Sequence, residues 1–333
     1  MTDPDYLFEP ILSQSFQFLE GLFKRYGKLA IIIDSCLFDR LPLNSKDSCI
    51  LIPLQASEER KTRETCAQIQ DQLLQWGLQK RHAIVAVGGG ITLDLSGFVA
   101  STYLRGVDCY YVPTTLLAMV DAAFGGKTGV NTPFGKNLIG TIYFPKKVLI
   151  DLDFLKSLSP TDQLSGIAEM IKYGITLDPA VIDELLIDPF HPRLIQRCID
   201  IKLSIVRQDT LDRNIRHILN FGHTIGHALE AASHYRIPHG IAVFQGMLIE
   251  SSLADHFHSK IDLLNRLQTH FQFPFLHELE WDRLIFKQAL AKDKKARSSL
   301  IPIVSNSRGE ITEFSIETIL SSMEALDARR NPS

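Results

Sequence analysis

Three of the four histidines in the segment LNFGHTIGHALEAASHYRIPHG, residues 219 to 240, are His223, His227 and His239. Residues four apart on an α-helix are displaced by only about 40° around its axis, so the rings of His223 and His227 can reach one point beside the helix. That is a spacing used by metal ligands. His239 follows Pro238, which cannot continue a helix, and a returning loop could bring a third imidazole to the same place. The alternative is a set of packed or surface histidines. Their concentration among glycines in an otherwise apolar segment favours a site.

Other stretches bear on the same chemistry. In GIAEMIKYG, residues 166 to 174, Glu169 and Lys172 stand three apart on an otherwise apolar helix and share a face. A carboxylate buried there needs a cation, which is either a metal or simply Lys172. Gly88, Gly89 and Gly90 follow the apolar run AIVAV and precede a helical pattern, the context in which backbone N–H groups meet a diphosphate. The pattern GGGITLD does not match GxGxxG, so a plain strand-to-helix turn remains the other reading. The stretch DAAFGGKTGVNTPFGKN, residues 121 to 137, reads as an irregular loop over a cleft. Its Lys127, Lys136 and Asn137 suit phosphate or carboxylate oxygens.

The elements that must hold these residues fall into two textures. Short apolar runs at Leu29–Ile33, Cys49–Leu54, Ala83–Val87, Cys109–Val112 and Lys147–Ile150 alternate with helical patterns, as βαβ units of a parallel sheet do. From Pro160 onward the pattern is amphipathic helix. The expected fold is an α/β N-terminal nucleotide-binding domain with a parallel sheet, residues 1–158, followed by a mainly α-helical metal- and substrate-binding domain, residues 159–333. A chain of 333 residues fits two such domains.

Bulk properties exclude several classes. Hydrophobic residues make up 45% and charged residues 22%, and the formal charge of −3 gives no field that would draw nucleic acid or an anionic membrane. The five cysteines are scattered without a CxxC pair, as in a reducing compartment. The first residues lack a basic start followed by an apolar run, and no apolar stretch is long enough for a bilayer. These features lead to the expectation of a cytoplasmic protein with no nucleic-acid or membrane partner.

Taken in order, VGGGITLDLSGF, YLRG, VPTTLLAMVDAAFGGKTGVN, GKNLIG, GIAEMIKYG, LNFGHTIGHALE and IPHG resemble the 3-dehydroquinate synthase family over roughly residues 29 to 304. The resemblance implies NAD and a divalent metal, zinc or cobalt, as cofactors, and a homodimer. It also implies a phosphorylated sugar acid as substrate, 3-deoxy-D-arabino-heptulosonate 7-phosphate. This is converted to 3-dehydroquinate and phosphate in the shikimate pathway by transient oxidation, phosphate elimination, re-reduction and aldol closure. Other sugar-phosphate cyclases and metal-dependent polyol dehydrogenases of the same superfamily are the alternatives, and a binding protein without activity is a third.

Residue by residue, the resemblance gives the metal to Glu169, His223 and His239, and moves His227 to the substrate. Lys127, Asn137, Asn220 and His227 are implied near the phosphate, with Arg105 reaching across a dimer interface. Lys202 and Arg216 match the carboxylate-binding residues, and Asp121, Lys136 and Lys172 those around the reacting hydroxyls and nicotinamide. Asp34, Glu58, Lys61, Gly88, Gly89, Gly90, Asp94, Thr114, Thr115, Phe154 and Ser157 are implied around NAD, with Lys127 and Lys136 at its edge. Either Lys294 or Lys295 matches a further substrate lysine. The chain departs from the family pattern at Ser57, Leu93 and Asn214, each where glycine is usual, and at Thr210 and Asp212, where longer acids are.

Overall fold

A computed structural model describes residues 10–12, 15–40, 48–291 and 300–328. Lys294 and Lys295 lie outside the described residues. The chain divides into two compact units, Met1–Leu158 and Ser159–Ser333.

The first unit contains β1 (Pro10–Leu12), α1 (Ser15–Tyr26), β2 (Leu29–Asp34), β3 (Cys49–Leu54), α2 (Arg63–Gln75), β4 (Ala83–Gly88), α3 (Gly90–Thr102), β5 (Asp108–Pro113), β6 (Lys127–Thr132), β7 (Gly135–Ile142) and β8 (Lys147–Ile150). Six strands form a sheet in the order β1-β8-β5-β4-β2-β3, with every pairing parallel. The central strands carry unbroken apolar runs because a parallel sheet is covered on both faces. Every residue of β4 is buried, and so are the first five of β2. From β2 the chain runs outward to β3, then returns past β2 to β4, β5 and β8. The direction of winding therefore reverses between β2 and β4, and a crevice opens at the carboxyl ends of those two strands. Asp34 ends one and Gly88 the other.

The glycine-rich stretch is not an irregular loop. It forms an antiparallel hairpin of β6 and β7, separate from the main sheet. Gly129 pairs with Gly140, and a Cβ on Gly140 would collide with the Thr128 carbonyl. These glycines permit close strand approach, and Thr128 and Val130 supply the β-branched residues that favour the extended state.

The second unit contains α4 (Pro160–Thr176), α5 (Ala180–Ile187), α6 (Pro192–Gln208), α7 (His223–Ala232), α8 (His239–Leu253), α9 (Asp255–His258), α10 (Ile261–Phe271), α11 (Arg283–Ala291) and α12 (Ile316–Ala328). It also holds a pair of antiparallel strands that the helical texture does not announce, β9 (Leu300–Val304) and β10 (Ile311–Ser315). Helix α8 is the core element, buried from Gly240 to Ser251 and packed against α4, α7, α9, α10 and α12. Its apolar residues surround the axis, as a helix enclosed on all sides requires. No helix among the described residues is long and apolar enough to cross a membrane.

His239 does not sit on a returning loop. It is the first residue of α8, with Pro238 in the extended capping position. A proline is tolerated there because a helix start has N–H groups without intrahelical partners in any case. The proline that ends one segment thus begins the next.

Candidate functional site

Helix α4 begins with Ser159 accepting a hydrogen bond from the Asp162 amide and with Pro160 in its first turn, both strong start signals. Three turns on, Glu169 is fully buried and Lys172 is 1% exposed. Lys172 Nζ pairs with Glu169 Oε2. The other oxygen, Oε1, has no hydrogen-bond partner among the described residues. Two imidazole nitrogens converge on it instead, His223 Nε2 at 3.4 Å and His239 Nε2 at 3.7 Å.

Glu169, His223 and His239 offer ligand atoms that all lie within 4.8 Å of one another. His223 Nδ1 lies 3.2 Å from the Phe221 carbonyl, so the proton of a neutral ring belongs on Nδ1 and the Nε2 lone pair faces Glu169. Burial, then Lys172 and the two neighbouring histidines, hold the His223 pKa well below its usual value, which keeps the ring in the neutral form that binds metals. Burial also opposes charge on His239, but Glu230 and Glu169 outweigh it and push its pKa up to about 10. Buried carboxylates that hold a proton this firmly lack positive charge, and a divalent cation would supply it. One carboxylate and two imidazoles are a donor set that zinc accepts while keeping a position open. The residues therefore fit the metal.

The helical spacing of His223 and His227 does bring their rings together, with centroids 5.4 Å apart. His239 lies 5.4 Å from the first and 5.9 Å from the second. What separates the roles is the carboxylate, since His227 is half-exposed and is not among the nitrogens that converge on Glu169.

Both His223 and His239 are first residues of helices, and the α7–α8 contact fixes their separation. Gly222 precedes α7 at φ 80°. A Cβ on Gly226 would stand 3.0 Å from the Val243 Cα, and one on Gly246 would meet the Gly222 carbonyl. From α8, the fully buried Glu250 accepts hydrogen bonds from the amides of Gly222 at 2.7 Å and Ile225 at 3.3 Å. A carboxylate at the start of a helix meets its free N–H groups and its positive dipole end. Sequence reasoning missed Glu250 because its partners lie on another element. Glu230 was also missed, although seven residues from His223 and three from His227 place it on their face of α7.

The anion-binding candidates of this unit lie on α6 and the loop after it. Lys202 and Arg216 are buried, Asn220 partly so. Asp209 organises the loop by accepting from the amides of Arg213, Asn214 and Arg216. Burial raises the Asp209 pKa, but these three donors outweigh it and leave the carboxyl below its usual range. Thr210, in place of an acid, gives its hydroxyl to the Val206 carbonyl at 3.1 Å, and its own carbonyl accepts from Arg216 at 2.8 Å. Asn214 stands at φ −144°, where a glycine is not required, and Asp212 occupies the left-handed region at φ 56°.

In the first unit, Gly89 caps α3 at the end of β4, and Thr114 donates its amide to the Gly88 carbonyl. A side chain on Gly89 would press on Thr115 at 3.1 Å. Asp94, one turn further, meets Lys61 at 2.5 Å, and Lys61 also bonds Asn137 Oδ1 at 2.8 Å. Burial raises the Asp94 pKa against the pull of Lys61. Lys136 pairs with Glu58 at 3.1 Å, while Asn131 donates to Glu58 at 2.7 Å and accepts the Asn137 amide. The structure thus joins Glu58, Lys61, Asp94, Lys136 and Asn137 in one network. Asn131 is its unforeseen member. Asp121 lies in the turn Ala118–Ala122, and Lys127 opens β6. Asp34 accepts the Cys36 amide, and Ser157 bonds Arg40, whose guanidinium lies 5.5 Å over the Phe154 ring. Arg105 and Leu104 both occupy the left-handed region. Leu93 is an ordinary buried helix residue, and Ser57 caps Glu58–Arg60 with its hydroxyl, so neither replacement strains the backbone.

Family models described as 3-dehydroquinate synthase N-terminal and C-terminal match residues 51–165 and 166–296. The chain belongs to the 3-dehydroquinate synthase family. It is 39% identical to the 3-dehydroquinate synthase of Pyrococcus furiosus over 294 residues, 84% of either chain. It is 38% identical to that of Streptococcus pneumoniae over 317 residues, 88% of either chain. In fold it is similar to 2-epi-5-epi-valiolone synthase from Streptomyces hygroscopicus, a structure with NAD+ and Zn2+ bound. There the TM-score is 0.82 at 23% identity, over 97% of both chains. A 2-deoxy-scyllo-inosose synthase complexed with carbaglucose-6-phosphate, NAD+ and Co2+ gives 0.81 at 24% identity, over 96% of both. A probable glycerol dehydrogenase from Sinorhizobium meliloti 1021 is more distant, at 0.70 and 14% identity over 98% of this chain and 97% of that one.

Proposed function

We propose that the chain is an NAD- and divalent-metal-dependent carbon–oxygen lyase that converts 3-deoxy-D-arabino-heptulosonate 7-phosphate to 3-dehydroquinate and inorganic phosphate. The convergence of His223 and His239 on the unbonded oxygen of Glu169, in a chain matched by both halves of the family, carries this reading. When bound, the cation supplies Lewis acidity to substrate hydroxyls, and NAD supplies a reversible hydride acceptor that is not consumed.

The chain's own residues have binding and orienting roles. Arg216 offers a planar fork and Lys202 a point charge to the substrate carboxylate. Lys127, Asn137, Asn220 and His227 serve the phosphate, while Lys172, Lys136 and Asp121 hold hydroxyl protons in place. The reversal of winding between β2 and β4 supports a dinucleotide at Asp34 and the Gly88–Gly90 turn, since open parallel sheets bind such ligands at that point. Lys61 and Asp94 brace that turn.

Phosphate release from the heptulosonate phosphate, with NAD at trace level, tests the reading. Turnover without net NADH, abolished by a chelator and restored by zinc, is the expected result. Accumulation of NADH without phosphate would identify a polyol dehydrogenase instead, and full activity after exhaustive metal removal would overturn the metal assignment.

A homodimer belongs to the same proposal. Leu104, Ile139 and Ile142 are each more than a third exposed, and Arg105 stands beside Leu104. Exposed apolar side chains, one of them next in sequence to Arg105, suit a contact with a second copy. Light scattering should give twice the mass of the chain; a monomer at micromolar concentration would remove this part.

A further inference from the structure

We infer that Glu230 is a positioning residue that sets the tautomer of His239, accepting from Nδ1–H so that Nε2 is presented bare toward Glu169. This rests on the metal reading above. A neutral imidazole has one N–H and one lone pair, and only the lone pair can bind a cation. His239 lies end-on between two buried carboxylates, with Nε2 3.7 Å from Glu169 Oε1 and Nδ1 3.5 Å from Glu230 Oε2. The nitrogen facing Glu169 must be bare if Glu169 and His239 share a cation, so the proton falls to the nitrogen facing Glu230.

His223 solves the same problem with a different acceptor. Its Nδ1 faces the Phe221 carbonyl, and its Nε2 also faces Glu169. The two ligand rings thus have the same orientation, each with an oxygen behind it. For His239 that oxygen belongs to a carboxylate that is only 3% exposed, which strengthens the ring as a donor more than a carbonyl does. His227 does not compete well for Glu230, since its Nε2 is 4.0 Å away and its side chain is half in solvent.

Glu230→Gln keeps the shape and removes the charge. Its amide either turns N–H toward Nδ1, selecting the wrong tautomer, or turns its oxygen there as a weaker acceptor. Apo-protein is titrated with Zn2+ against a chromophoric chelator, and the unfolding temperature of each apo-protein is recorded alongside. The expected zinc dissociation constant of the variant is about 10- to 100-fold above the parent's, the range for partners of ligating histidines, with apo-stability near that of the parent. A structural role alone would lower the unfolding temperature and leave the affinity of the folded protein unchanged. Should Glu230→Gln fail to fold, Glu230→Asp, with its carboxylate withdrawn by one carbon, is read in the same way, and at least a threefold weakening is expected. Tight zinc binding by the parent with unchanged affinity in the folded variant overturns this inference alone. Failure of the parent to bind zinc overturns the metal reading, and this inference with it.

Discussion

Glu169→Ala is expected to hold no zinc after dialysis, to release no phosphate from the heptulosonate phosphate, and to unfold well below the parent. The metal loss follows from the position of one atom: Oε1 is the point on which His223 and His239 converge, and without it the cluster keeps two imidazoles and no carboxylate. The stability loss comes from the other oxygen. Lys172 is 1% exposed and pairs with Glu169 Oε2, so the variant leaves an ammonium buried beside Tyr173 without its carboxylate. Breaking a buried ion pair from one side costs about 3–5 kcal/mol, because the remaining charge stays desolvated. The double variant Glu169→Ala with Lys172→Met should recover much of that stability and none of the metal. Calorimetry and metal analysis of the three proteins separate the effects. A zinc-replete, active Glu169→Ala protein would refute the ligand assignment.

Gly246→Ala adds a single methyl group and is expected to be nearly as damaging. Its Cβ would overlap the Gly222 carbonyl and stand 2.9 Å from the Gly226 amide nitrogen, all of it backbone with no side chain to swing aside. Helices α7 and α8 must move apart or α8 must bend, and overpacking of this kind costs about 1–3 kcal/mol or more. The movement falls on the segment that carries Gly222, and it loosens the Glu250 bonds to the Gly222 and Ile225 amides. A lowered unfolding temperature, together with weaker zinc binding by the protein that remains folded, is the expected pair of results. Parent-like values for both would show that the close approach of these helices does not hold the ligands.

The sequence made some of this visible because the signals are local. Apolar runs such as LAIII and AIVAV have the length and continuity of buried parallel strands, and they are β2 and β4. The start of α4 is written in Ser159, Pro160 and Asp162. The helical spacing of Glu169 and Lys172 puts them on one face, and both readings of the pair hold at once: one oxygen meets the lysine, the other the histidines. What escaped was non-local. Glycines at 125–135 suggested irregular chain because their composition is that of loops, whereas the pairing of Gly129 with Gly140 is a cross-strand fact. Pro238 suggested a loop for His239 because a proline ends a helix as readily as it begins one. Glu250 reaches α7 from α8, and no spacing within either helix points to that contact.

The three proposed metal ligands stand on α4, α7 and α8, and α5, α6 and the Asp209 loop lie between the first and the second. A cation bound by them would act as a cross-link that closes one long segment of chain, from Glu169 to His223, and a shorter one from His223 to His239, limiting the unfolded ensemble much as a disulfide does. The melting of this unit would then follow the free metal concentration, with a gain of about 2.7 kcal/mol when that concentration is a hundredfold above the dissociation constant. The same atoms that prepare the substrate would help hold the helical unit together, so metal starvation would lower its melting temperature along with its activity.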